Sequence, residues 1–276
     1  MLYITKFKRR PRRSYAALLT HLRQAWQIKE LDDKEAFLRF GTTSLTALPG
    51  RSLRLGVWNM CKGSGGVLFE HDFRVMCFRC DLFLTQEALI SPRSLTTFQQ
   101  PGIELMHAAS YMRQDGLRDG VMTLSRVAAA DSPMRIVCKF PEPVFKTPKV
   151  ALVTTYPIAD HPDPLMVINL HATLIRRTNI AVEEMEFLIS QIPAHKGPII
   201  LGGDFNTFTP MYLRAITDTL ARIGLERVPL AEEKRSMLSS LDHVFVKGLR
   251  VTKAWIATTF QSSDHFPLFL ELHIAA

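Results

Sequence analysis

From residue 53 onward the chain repeats one texture: short apolar runs, many of them β-branched, separated by turn-forming or helical stretches. The runs are LRLGVW (53–58), DLFLTQ (81–86), IELMHA (103–108), GVMTLS (120–125), RIVCKF (135–140), KVALVTTY (149–156), LMVINL (165–170), PIILGG (198–203), LDHVFV (241–246), VTKAWIA (251–257) and PLFLELHI (267–274). Runs of this length bounded by turn residues predict strands. Three helices are predicted between them. One follows Gly66. A second spans about Thr178 to Ile192, with Ala181, Met185, Leu188, Ile189 and Ile192 on one face. A third opens at Pro210, with Thr209 as its cap and Leu213, Ile216, Leu220 and Ile223 on its apolar face. Many strands among few helices imply an α/β fold with a large sheet system, two sheets packed together.

The first 50 residues read differently. Residues 1–13 hold Lys6, Lys8, Arg9, Arg10, Arg12 and Arg13 and no acid. Ser14 can cap a helix carrying Leu18, Leu22 and Ala25 or Trp26 on one face. GTTSLTALPG (41–50) reads as a linker or loop. The chain therefore divides into a basic N-terminal arm with a helical segment and linker (1–50) and a catalytic domain (51–276). The whole carries 34 Lys and Arg against 26 Asp and Glu, a formal charge of +8, and 47% hydrophobic residues. That excludes an acidic disordered tail and fits a globular protein. Most of the excess charge sits in the arm, which can contact nucleic acid or an anionic surface or remain a solvated tail.

No apolar stretch reaches the roughly 20 residues of a membrane-spanning helix, and the N-terminus does not read as a secretory signal. Four cysteines are too few for a disulfide scaffold; Cys77 and Cys80 form a C-x-x-C with no second pair, and two reduced thiols near a helix end are expected. A soluble, cytoplasmic, monomeric protein is expected.

The most informative residues stand where apolar runs stop. Asn59 follows LRLGVW, Glu87 follows DLFLTQ, His171 follows LMVINL, and Asp204 and Asn206 follow PIILGG. Asp242 opens DHVFV, and Asp264 and His265 precede PLFLEL. Strand-end residues of α/β folds converge on one rim, and these are too far apart in sequence to form a local loop. Carboxylates with amide and imidazole groups and no cysteine suit a hard divalent cation, Mg²⁺ with Mn²⁺ as a substitute. Each residue alone has a plainer reading: a turn Asn, a solvated Glu, a capping Asp, a core His.

VWNM (57–60), TQEAL (85–89), NLHATL (169–174), GGDFNTF (202–208), LDHVFV (241–246) and SSDHFPL (262–268) together resemble the ordered motif set of the endonuclease/exonuclease/phosphatase superfamily, the deoxyribonuclease I-like fold. The resemblance covers about residues 53–273. An H-x-G-P segment before GDFN and the LDHVFVKGL block are similar to the bacterial YafD-like branch. It implies a four-layered α/β sandwich, two packed mixed β-sheets flanked by helices, and metal-assisted hydrolysis of a phosphate ester. By that resemblance Glu87, with Asn59, holds the cation, and Asp264 is either metal-linked or a partner to His171. Asp204 orients and deprotonates water, while Asn59 and Asn206 position water and phosphate. His265 donates to a phosphoryl oxygen with Asp242 behind it, and His171 takes the phosphate or leaving-group side.

Lys62, in KGSGG (62–66), and Arg126, closing GVMTLSR, are further phosphate contacts to consider; an exposed strand-end Arg is the plainer reading of the second. Tyr156 is similar in position to the tyrosine of the apurinic-site endonuclease branch, but Pro-Ile-Ala follows it. That departure leans toward the deoxyribonuclease I and sphingomyelinase side. A Mg²⁺-dependent phosphodiesterase acting on nucleic acid is the leading expectation. A phospholipid or phosphoinositide phosphodiesterase or phosphatase is the alternative, with SLTTFQQPGIELM (94–106) as its candidate apolar loop. A non-catalytic binding module on the same scaffold comes last.

Overall fold

The computed structural model describes residues 28–130, 132–230 and 241–274. The helix expected after Ser14 lies outside them. In chain order the first half forms β1 (Ile28–Lys29), α1 (Asp33–Ala36), β2 (Phe37–Phe40), β3 (Leu53–Asn59), α2 (Gly66–Arg79), β4 (Leu82–Gln86), α3 (Pro92–Phe98), β5 (Glu104–Arg113) and β6 (Arg118–Ser125). The second half forms β7 (Met134–Val137), β8 (Val150–Tyr156), β9 (Leu165–His171), α4 (Thr178–Gln191), β10 (Ile199–Asp204), α5 (Pro210–Ala221), β11 (Glu226–Arg227), β12 (Asp242–Lys247), β13 (Leu249–Ile256) and β14 (Leu268–Ile274).

The strands make two mixed sheets. One runs β1-β5-β6-β4-β3-β14-β13, with β2 also on β5; the other runs β11-β12-β10-β9-β8-β7. Their inner faces meet through Leu55, Val57, Leu84, Val167, Ile200 and Val244. The outer face of the first sheet buries Trp58 and Phe83 against Phe69 and Phe73 of α2. That of the second buries Ile168 and Phe245 against Met185 of α4 and Ile216 of α5. This is a four-layered sandwich, as the alternation of inward and outward side chains requires.

The helices begin where their signals stand: Thr209 caps α5 by accepting from the Tyr212 N–H at 3.1 Å. RIVCKF leaves the ladder after Val137, with a last bond from the Cys138 N–H to the Lys149 carbonyl at 2.8 Å, because Pro148, next in register, has no N–H to donate. The expected boundary at residue 50 moves. β1 and β2 pair antiparallel with β5, and Leu48 is fully buried with its N–H on the Pro157 carbonyl. Residues 28–50 thus pack on the sandwich; two short edge strands carry too little periodicity to be separated from a linker by pattern.

Candidate active site

Strand direction gathers the site. β3 and β4 are parallel, as are β9 and β10, so Asn59, Glu87, His171 and Asp204 stand at one end of the sandwich. β12 runs antiparallel to β10 with Asp242 opposite Asp204, and β14 antiparallel to β3, which brings Asp242 and His265 to that same end. Gly203 makes the approach possible: its φ is +148°, and a Cβ there would lie 1.8 Å from the Leu170 carbonyl oxygen. Beneath the rim the sheets are tied by Asn169, whose Nδ2 donates to the Met122 carbonyl at 3.0 Å and whose Oδ1 accepts from Gln86 Nε2 at 2.7 Å.

The residues enclose a cleft of about 290 Å³, lined among others by Asn59, Lys62, Glu87, His171, Asp204 and His265. Asn59 Nδ2 reaches across the sheets to Asp204 Oδ2 at 2.9 Å, and the Asn206 N–H donates to Asp204 Oδ1 at 2.9 Å. Asp242 Oδ2 lies 2.7 Å from His265 Nδ1, and the Trp58 indole holds the His265 carbonyl at 2.9 Å. Glu87 and Asn206 adopt left-handed backbone at φ 51° and 52°, a strained choice for residues with side chains that the surrounding fold holds in place.

Charges in this enclosed space act strongly on one another. Burial alone would lower the His265 pKa, but the charge and hydrogen bond of Asp242, with Asp204 and Asp264, raise it to about 10. The ring is therefore a cation at neutral pH, with Nε2 left to donate. Burial, and then the charge of Asp242, push Asp204 upward toward the range useful for a general base. His171 moves the other way: burial, then Lys149, His265 and Lys62, hold it well below the ordinary histidine value. It is a neutral ring, 3.1 Å at Nε2 from Lys149 Nζ and 3.6 Å from Asp204 Oδ2. Lys62 pairs with Glu87 at 2.9 Å and Asp119 at 3.7 Å; burial opposes its charge, and the two carboxylates more than offset that.

Two expected cleft residues, Arg126 and Asp264, stand outside it. Arg126 lies at the opposite end of the sheet, because β6 runs antiparallel to β4 and Ser125 pairs with Leu82. Its guanidinium donates to the Cys77, Phe78 and Cys80 carbonyls at the end of α2, far from any phosphate in the cleft. Asp264 is exposed and accepts from the Ser263 hydroxyl at 3.3 Å, outside the residues that line the cleft. Asn206 lines the cleft but spends a side-chain donor on the Ala172 carbonyl at 2.8 Å, joining the loops after β9 and β10. Tyr156 is buried at the end of β8, paired with Leu165 and so also away from the site.

Sequence reasoning missed Lys149, Tyr111 and Glu142, which line the cleft, and Asp119, which accepts from the Tyr111 hydroxyl at 3.1 Å. Lys149 and Asp119 open strands antiparallel to those ending at the rim, and a search of strand starts as well as strand ends would have flagged both.

A family profile described as Endonuclease/Exonuclease/phosphatase family matches residues 56–265. The chain belongs to this family. Among its relatives, a UPF0294 protein of Yersinia enterocolitica is 33% identical over 231 residues, covering 79% of this chain and 83% of the relative, in keeping with the YafD-like branch. An endonuclease/exonuclease/phosphatase from Beutenbergia cavernae superposes with a TM-score of 0.63 at 16% identity, over 82% of this chain and 72% of that one. A mannosyl-6-phosphatase of Bacteroides thetaiotaomicron gives 0.59 at 17% identity, over 80% and 99%. Membership brings the coarse chemistry, hydrolysis of phosphate esters.

A divalent cation fits the donors present. The ligand atoms of Asp204, Asp242 and His265 lie within 4.8 Å of one another, and Asp242 Oδ1 is buried without a hydrogen-bond partner. Asp242 Oδ2 is already committed to His265, so that trio serves better as a proton-holding pair beside Asp204. The cleft also offers Glu87 and Asn59, hard oxygen donors with no thiolate among them. Among the described residues no helix is long and apolar enough to cross a membrane.

Proposed function

We propose that this chain is a Mg²⁺-dependent phosphodiesterase acting on nucleic acid, with Mn²⁺ able to replace Mg²⁺. The observation that carries the reading is the pairing of Asp204, held by Asn59 and Asn206, with His265, kept protonated by Asp242, across a single cleft. Glu87 with Asn59 would hold the metal, which supplies positive charge to the phosphate and its leaving oxygen. Asp204, its basicity raised by burial, orients a water and takes its proton. His265 Nε2 donates to the phosphoryl oxygen on which charge develops. His171, neutral, accepts from Lys149 and so aims that ammonium into the cleft.

Charge favours a diester. The cleft's cations, Lys62, Lys149 and His265, are matched by Glu87, Glu142 and Asp204, with Asp119 and Asp242 close behind. A singly charged phosphodiester meets less repulsion there than a doubly charged monoester. The alternative, a phospholipid or phosphoinositide ester, does not draw on residues 94–106, whose Phe98, Ile103 and Leu105 are buried. It draws instead on Val144 and Phe145, 46% and 42% exposed, Phe145 at the cleft itself. The buried, reduced Cys77 and Cys80 support a cytoplasmic setting.

The test is hydrolysis of single- and double-stranded DNA and RNA, p-nitrophenyl phosphate, and phosphatidylcholine vesicles, with Mg²⁺ or EDTA. Wild type should cut a polynucleotide only with metal, and Asp204→Ala and His265→Ala should each lose about 100-fold or more in kcat. Equal activity in all three proteins would mean the cleft is not responsible.

A further inference from the structure

A second groove adjoins the cleft on the His171 side. Glu142 and Leu174, which line the cleft, also line this neighbouring groove of about 450 Å³. The groove is walled by Phe140, Pro141, Pro143, Val144, Ile175 and Ile180, and Arg176 and Arg177 stand at its edge. It lies between the segment joining β7 to β8 and the one joining β9 to α4, and both are fixed. Thr173 Oγ1 donates to the Phe140 carbonyl at 2.6 Å, the Leu174 N–H to Glu142 Oε1 at 3.2 Å, and the Phe140 N–H to buried Glu184 at 3.2 Å. The 138–149 segment closes on itself through Cys138 N–H to the Lys149 carbonyl and Glu142 N–H to the Thr147 carbonyl. The groove is therefore preformed, and it opens on the His171 and Lys149 side of Asp204, away from Glu87 and Lys62.

The groove stands where one arm of a phosphate ester bound at Asp204 can extend past Glu142 and Leu174. The groove offers that arm a phenyl ring, two proline rings and two guanidinium groups. We propose that this groove is a nucleoside subsite: it stacks the base next to the scissile phosphate on the Phe140, Pro141 and Pro143 side, with Arg176 and Arg177 meeting the next phosphate along the strand. Bases stack on apolar and guanidinium planes with little sequence preference, and cations beyond them track the backbone. An acyl chain would fill the apolar part but would leave the guanidinium pair without a partner of its own. The inference rests on the phosphodiesterase reading and goes beyond it, to the position of one base.

The experiment compares the dinucleotide TpT with two analogues in which one thymidine or the other is replaced by a base-free tetrahydrofuran residue, using full-length protein and Mg²⁺. Removing the base on one side should lower kcat/KM about tenfold or more, and removing it on the other side should change it little, since one stacked base is worth that much. The preference should fall to about one in Val144→Glu and in Ile180→Glu. Val144 is half-exposed, so that variant keeps the test valid should Ile180→Glu fold poorly. Equal cleavage of all three wild-type substrates, or a preference that persists in folded Val144→Glu, would overturn the subsite. So would vesicle phosphatidylcholine hydrolysis lost in Val144→Glu while TpT cleavage is kept, which would assign the groove to an acyl chain. Hydrolysis of p-nitrophenyl phosphate with none of the diesters would overturn the phosphodiesterase reading, and the subsite with it.

Discussion

The chemistry of the cleft depends on which groups keep their protons, and burial, which lowers the pKa of both His265 and His171, is overcome only at His265. Asp242, with Asp204 and Asp264, outweighs the burial of His265, while Lys149, His265 and Lys62 add to the effect of burial at His171. A positively charged donor thus faces a neutral acceptor, with Asp204 between. The sign follows: His265 with a raised pKa is protonated below about 10 and loses its proton above it. Wild-type kcat/KM should therefore show no loss from His265 until pH approaches 10. Asp242→Asn removes the charge that holds the proton, and the alkaline limb should move down toward the ordinary histidine value near 6.5, with about a 10- to 100-fold loss at pH 8. A pH profile of kcat/KM for both proteins measures this. An unchanged alkaline limb in Asp242→Asn would show that the pair does not control the proton.

At the scale of elements, the rim is rigid because the sheets beneath it are tied by polar groups as well as by aliphatic packing. Asn169 on β9 reaches the first sheet through the Thr85 and Met122 carbonyls, Thr123 Oγ1 and Gln86, all buried. Asn169→Leu keeps the branched shape but strands the Gln86 amide, whose Nε2 donates to Asn169, and should cost about 1–3 kcal/mol. Urea unfolding should show a lower midpoint with an unchanged slope. A loss under 0.5 kcal/mol would mean that water replaces the amide. The strands that carry these contacts were legible because their periodicity is local: all eleven apolar runs correspond to strands. Pairing sense was not legible, since nothing local fixes it. Arg126 was therefore expected at the wrong end of its sheet, and Lys149 and Asp119, which open antiparallel strands, went unnoticed. β1 and β2, two and four residues long, were hidden because a period of two needs more repeats to register.

Over the whole molecule the sandwich works as a scaffold that holds like charges together at one end. Glu87, Asp119, Asp204 and Asp242 meet there with Lys62 as the internal counterion of two of them. A divalent cation held there would relieve their mutual repulsion only in the folded state, so metal binding should raise stability. At 100 times its dissociation constant Mg²⁺ should add about 2.7 kcal/mol, which for a protein of this size is a rise in Tm of roughly 5–10 °C. Glu87→Gln should abolish most of that rise, because it removes the carboxylate placed at the cleft by its left-handed backbone. Lys62→Met should act in the opposite direction: without the ammonium on Glu87 the cation has one competitor fewer, so the same rise should need less Mg²⁺. Thermal scans of the three proteins across a Mg²⁺ titration, each repeated with EDTA, separate these outcomes. An equal rise in wild type and Glu87→Gln would place the metal away from Glu87, and weaker binding in Lys62→Met would make Lys62 a support for the metal site and not a competitor.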